Sequence, residues 1–299
     1  MLFDRFTSVD VPVGATTIHA TMGGSGPAIL LLHGFPQTHR MWRRVASALA
    51  SQFTVVCADL RGHGDSGCPP SDSQHAPYAK RALAQDMVTL MAALGCARFA
   101  VVGHDRGGRV AYRLALDHPQ VIERAAVLDV LPVDTVWQHA DERFALGYWP
   151  WSLLAQDPPL PERILMCCAD EVVAQALAHW GTAADTFSPE LRVAYARPLR
   201  DADHAHAICE EYRAAASIDR EHDRADLSRG HRIACPLLVL WSADGPLAGW
   251  YESLGGPLAV WRAWCDHDVQ GGALPGGHFF AEAAADETAA ALQQFLHGA

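Results

Sequence analysis

Six residues, Gly103-His104-Asp105-Arg106-Gly107-Gly108, follow directly on the apolar run Phe99-Ala100-Val101-Val102. A buried strand that runs into Gly-x-nucleophile-x-Gly and then a helix is the sequence form of a nucleophile elbow. The flanking glycines let the backbone turn sharply and lift the central side chain to the top of the sheet, at a helix N-terminus. Here that residue is aspartate, which narrows the chemistry. A serine that displaced a leaving group from an alkyl carbon would end as a stable ether. A carboxylate doing the same becomes an ester, which water can cleave to restore the enzyme. The six residues therefore point to hydrolysis at a saturated carbon. Their bland alternative is a glycine-rich turn with a helix-capping aspartate.

Partners for such a nucleophile follow in the chain order nucleophile, acid, histidine, the order of α/β-hydrolase triads. Asp105, Asp129 and His278 supply it, the histidine within Gly276-Gly277-His278-Phe279-Phe280 ahead of the last helix. Two acids compete to orient His278. Asp129 ends the strand after the elbow and is favoured; Asp244 follows a later strand and would otherwise be a turn or capping residue. The loop His33-Gly34-Phe35-Pro36 places a backbone N–H, that of Phe35, opposite the elbow, where it and the N–H of Arg106 would form an oxyanion hole. Arg106 and Arg109 lie on the first turn of the elbow helix, where cations oppose the helix dipole. A local cost beside a nucleophile suggests a use, namely gripping an anionic substrate by its carboxylate; an ion pair with nearby acids is the alternative. The other histidines among the sixteen, His204 and His206 included, lack a third ligand at metal spacing and are expected at the surface.

The elements that must position these residues alternate between strand and helix. Ile29-Leu30-Leu31-Leu32 reads as a strand covered on both faces, and Phe53–Cys57 as the next. Helices are expected from about Thr38, over Leu83–Leu94, and after the elbow as far as His118-Pro119, where proline stops them. Ala125–Asp129 is another short buried strand. From Pro132 to about Arg229 the pattern is helical and carries Trp137, Trp149, Trp151 and Trp180. Strand signal returns at Leu237–Trp241 and around Ala259-Val260-Trp261, and a final helix spans about Asp286–Leu296. A β/α alternation interrupted and then resumed predicts a mostly parallel sheet flanked by helices with an inserted helical cap. The expected division is a core of residues 1–131 and 230–299 and a cap of residues 132–229.

Bulk properties bound the rest. A formal charge of −11 argues against nucleic acid or anionic membranes as partners. It also means that a small anionic substrate needs a local cationic clamp. Lys80 is the single lysine, so that clamp would be arginine, which suits bidentate carboxylate binding. Eight scattered cysteines without Cys-x-x-Cys, no membrane-spanning apolar run and no leader pattern in Met1–Arg5 suggest a cytoplasmic enzyme with reduced thiols.

Several of these segments resemble the fluoroacetate (haloacetate) dehalogenases. They include Gly103–Leu116, His33–His39, Pro77–Ala82, Leu128–Pro132, Glu211–Ala214 and Gly277–Phe279, spread over nearly the whole chain. Epoxide hydrolases and haloalkane dehalogenases share the aspartate elbow but usually carry tryptophan after it, where this chain has Arg106. The resemblance implies an α/β-hydrolase fold and conversion of 2-haloacids to 2-hydroxyacids without cofactor or metal. It further implies a homodimer. Asp105 would attack the α-carbon, Arg106 and Arg109 would hold the carboxylate, and His278 with Asp129 would activate water against the ester. Trp151 and Tyr212 match two of the family's three halide-binding residues. In Tyr148-Trp149-Pro150-Trp151, Pro150 stands where the third, a histidine, is expected. Chloride and bromide should therefore leave more readily than fluoride, unless Trp149 fills the gap. The competing readings are an epoxide hydrolase with two cap tyrosines drawn from Tyr148, Tyr195 and Tyr212, and an inactive hydrolase-like binding protein.

Overall fold

The computed structural model describes residues 3 and 5–298; Met1, Leu2 and Asp4, part of the segment read for a leader, lie outside the described residues. Eight strands form one sheet: β1 (Thr7–Pro12), β2 (Thr17–Gly24), β3 (Ala28–Leu32), β4 (Thr54–Ala58), β5 (Phe99–His104), β6 (Ile122–Leu128), β7 (Leu237–Ser242) and β8 (Val269–Leu274). Their order is β1-β2-β4-β3-β5-β6-β7-β8. The β1–β2 and β2–β4 pairings are antiparallel; every pairing from β4 through β3 to β8 is parallel. The continuous apolar runs follow from this layout. Ile29–Leu32 and Val101–Val102 are fully buried because helices cover both faces of the sheet.

Register decides where the chemistry can sit. Leu32 pairs with Gly103, His104 with Leu128, and Leu128 with Leu240. The parallel strands thus end along one edge, and the loops bearing Phe35, Asp105, Asp129 and Asp244 leave the sheet side by side. The helix Arg106–Asp117 starts at this edge and is buried as far as Leu116. Val110 and Leu114 on it are fully buried, each worth roughly 1.5–3 kcal/mol of apolar burial. Glycine is required at the turn. A Cβ on Gly103 would collide with the Gly107 carbonyl, and one on Gly107 with the Leu32 carbonyl.

Between β6 and β7 the described residues form helices and no strand, from Val133–Gln138 through to Ile218–Ser228. Two features differ from the sequence reading. Ala259-Val260-Trp261 lies in a helix, Gly256–Arg262, and the last strand is instead Val269–Leu274. A three-residue apolar run carries no period that separates strand from helix, and Pro257 at the start of the helix favours the latter. The antiparallel edge β1–β2 also precedes the first apolar run.

Candidate active site

The elbow holds Asp105 at φ 45°, ψ −114°, a left-handed backbone that costs a non-glycine residue on the order of 1–3 kcal/mol. Its carboxylate is engaged on both oxygens. Oδ2 accepts from the Phe35 backbone N–H at 3.0 Å, and Oδ1 accepts from Arg109 Nη1 at 2.9 Å. Burial alone would raise the Asp105 carboxyl. Arg109, His278 and Arg106 together outweigh that effect and hold it down at about 2, so the group is an anion at neutral pH.

His278 meets Asp129 and not Asp244. Its Nδ1 donates to Asp129 Oδ2 at 2.6 Å, while Asp129 Oδ1 accepts from Ser242 N at 2.9 Å. This partner fixes the tautomer and leaves Nε2 with a lone pair. Asp129 too adopts a positive φ, of 53°. Asp244 is exposed and closes a turn, its backbone N–H donating to Ser242 Oγ and its carboxylate accepting from Gly276 N.

Asp105, Asp129 and His278 line a tight cavity of about 10 Å³, together with Arg109, Tyr148, Pro150, Trp151, Trp180 and Tyr212. The helical segment between β6 and β7 supplies the aromatic wall. Trp180 N–H is committed to the Gly147 carbonyl at 2.6 Å. Among the described residues, the Trp151 N–H and the Tyr148 and Tyr212 hydroxyls form no hydrogen bond. Trp149 is not on this wall, although Pro150 and Trp151 beside it are. Tyr195, also named from the sequence, donates to Glu282 at 2.9 Å and does not line the cavity.

The two arginines differ. Arg109 lines the cavity, with its guanidinium 4.6 Å from the Trp151 ring centroid. Arg106 is fully buried behind it, 4.0 Å from the Tyr212 ring centroid. Arg106 Nε donates to Glu211 Oε1 at 3.0 Å and Nη2 to the Glu211 carbonyl at 3.1 Å. Glu211 also faces Lys80 Nζ at 2.9 Å and accepts from His63 Nε2 at 3.0 Å. Burial opposes its charge, but Arg106 and then Lys80 hold its carboxyl well below the usual range. On these two arginines, the buried Arg106 Nη1 and Arg109 Nε have no partner among the described residues. A planar anion is what such donors recognise.

Burial corrects the expectation that the other histidines lie at the surface. His33, His39, His63 and His104 are buried, each with a backbone group or a carboxylate close to one ring nitrogen. Sequence reasoning quoted Glu211 and Lys80 but could not pair them with Arg106, because they lie far apart along the chain. No group of three or more His, Cys, Asp or Glu among the described residues is arranged to hold a metal ion, and no helix among them is long and apolar enough to cross a membrane.

The sheet order, the aspartate elbow and the histidine paired to Asp129 define an α/β-hydrolase, and residues 27–163 match the model of that fold. A fluoroacetate dehalogenase from Burkholderia sp is 44% identical over 299 residues, covering 100% of this chain and 96% of that protein. Within the α/β-hydrolases, the chain belongs to the fluoroacetate dehalogenase family. Among solved structures, a candidate α/β hydrolase from Nostoc sp PCC 7120 is 42% identical with a TM-score of 0.94, each chain covered at 100%. A candidate epoxide hydrolase from Pseudomonas aeruginosa is 39% identical with a TM-score of 0.91, over 99% of this chain and 97% of that one.

Proposed function

We propose that this protein hydrolyses small 2-haloacids, haloacetates first, to 2-hydroxyacids and halide through an ester on Asp105. The observation that carries this reading is the pairing of an anionic Asp105 with Arg109 in a closed cavity, beside buried guanidinium donors that have no partner. The substrate carboxylate takes these donors and draws Arg109 from Asp105 Oδ1. That oxygen then attacks the α-carbon, forming a C–O bond as the carbon–halogen bond breaks and halide leaves with the electron pair. Fixing the carboxylate also fixes the line of attack.

His278 then removes a proton from water, and the hydroxide attacks the carboxyl carbon of the Asp105 ester. Phe35 N–H, already on Oδ2, supports the oxyanion, and the N–H of Arg106, the first residue of the helix, is the second donor in this scheme. The acyl C–O bond breaks, the 2-hydroxyacid departs, and one proton is released overall. Trp151 and Tyr212 serve the departing halide, and the helical segment of residues 132–229 acts as a cap that keeps bulk water out.

Epoxide hydrolysis is the second reading. It is favoured by two tyrosines, Tyr148 and Tyr212, on the cavity wall and by the likeness to the Pseudomonas aeruginosa protein. An epoxide, however, offers no carboxylate for Arg109. The deciding experiment measures halide release from fluoro-, chloro- and bromoacetate beside diol formation from styrene oxide. Turnover of haloacetates without diol supports the dehalogenase; diol without halide release overturns it.

A further inference from the structure

The loop that carries His278 is held by its backbone as well as by Asp129. His278 N–H donates to the Trp180 carbonyl at 2.8 Å. The Thr182 hydroxyl bridges the base, donating to the Gly276 carbonyl at 2.8 Å on one side and accepting from Phe279 N–H at 3.1 Å on the other. From beneath, His104 Nε2 donates to the His278 carbonyl at 2.8 Å, with the two rings 4.6 Å apart. These partners come from two places. Trp180 and Thr182 belong to the helical segment, and His104 is the last residue of the elbow strand.

The fit is close enough to exclude a Cβ. Gly181 and Gly277 sit against one another at φ 82° and 72°, and a Cβ on Gly277 would collide with the Gly181 carbonyl carbon and Thr182 N. Residues 180–182 lie between the helix Ala169–His179 and the turn Ala184–Thr186, so their backbone groups have no helical partners and are available to the loop. The Trp180 ring meets His278 edge-on at 5.1 Å, 80° between planes.

We propose that Thr182 and His104 are positioning residues for His278, setting where its Nε2 stands for the water-activating step. The inference rests on the reaction proposed above, in which His278 acts only after the ester has formed. Neither residue touches substrate in that scheme. A small displacement of the ring should therefore slow ester hydrolysis and leave displacement of halide alone.

Thr182→Val separates the steps, since it keeps shape and burial but removes both hydrogen bonds. With chloroacetate in rapid-quench experiments, halide release in the first turnover is expected within about twofold of the parent. Ester hydrolysis should slow about tenfold or more, with the adduct on Asp105 visible by intact mass. Thr182→Ser, which restores the hydroxyl, should recover most of the rate. Should Thr182→Val not fold, His104→Phe, which keeps a ring but removes the donor, carries the same test. Equal slowing of both steps, with no adduct in Thr182→Val while His278→Asn accumulates one, overturns the positioning role alone. Absence of adduct from His278→Asn as well overturns the ester reaction itself, and this inference with it.

Discussion

Replacing Pro150 by histidine should raise the rate on fluoroacetate relative to chloroacetate by about tenfold or more. Pro150 is buried on the cavity wall beside Trp151 and contributes no side-chain donor. Trp180 cannot make up the loss, because its N–H is spent on the Gly147 carbonyl. A hydrogen bond to a charged group is worth about 1.5–3 kcal/mol, or roughly 10- to 150-fold in rate if it forms only as halide departs. Fluoride, small and poor as a leaving group, gains most from it. The backbone should tolerate the change, since Pro150 sits in the first turn of the helix Trp149–Leu154, where loss of a stiff residue costs only about 0.4–1 kcal/mol. The assay is kcat/KM for fluoro-, chloro- and bromoacetate by halide release, for the parent, Pro150→His and Tyr148→Phe. The last variant is included because the Tyr148 hydroxyl is the remaining donor on the wall. A parent that cleaves fluoroacetate as fast as chloroacetate, with Tyr148→Phe leaving that ratio unchanged, would refute the reasoning about halide hydrogen bonds. A ratio that collapses in Tyr148→Phe would make Tyr148 the missing donor and Pro150 irrelevant.

Three other outcomes are expected. Arg109→Lys keeps the charge but loses the fork that faces Asp105, so kcat/KM for chloroacetate should fall about tenfold or more. A neutral chloroalkane, a poor substrate throughout, should show no matching drop; equal losses on both would count against a carboxylate clamp. Asp129→Asn should slow ester hydrolysis about ten-thousandfold, by the wrong tautomer of His278, while Asp244→Asn at its exposed turn should stay within about twofold; the reverse ranking would reinstate Asp244. His33 and His104 are held at about 4, mainly by burial, below the ordinary 6.5. The unfolded chain therefore binds protons below pH 6.5 that the fold refuses. Each should remove stability as pH falls from 6.5 towards 4, by up to about 1.4 kcal/mol per pH unit. Urea unfolding at pH 7 and about pH 5 checks this, with His33→Gln expected to flatten the dependence.

What the sequence revealed and what it hid follow from how far apart the partners lie. The elbow was legible because its chemistry needs contiguous residues, two glycines tight against a carbonyl and an aspartate between them. Asp129 was legible because the strand that carries it is buried and short, ending where β5 ends. The last strand was not. Val269–Leu274 is an edge strand with two glycines and few apolar residues, a weak signal beside Ala259-Val260-Trp261. The two arginines could be singled out by their cost to the helix N-terminus. That Arg106 would lean on Glu211 while Arg109 faced the cavity depends on contacts made only when the helical segment folds over the sheet edge. Thr182 gave no signal at all, since one hydroxyl in an irregular stretch has no period or spacing to read.

The central claim is the covalent ester on Asp105, and a single turnover of chloroacetate in heavy-oxygen water tests it most directly. The hydroxide that cleaves the ester attacks the carboxyl carbon, so label should enter the Asp105 carboxylate, detectable in the peptide that contains it, and the first glycolate released should carry none. Label in that first glycolate with an unlabelled Asp105 would mean that water attacks the substrate itself, and would contradict the account.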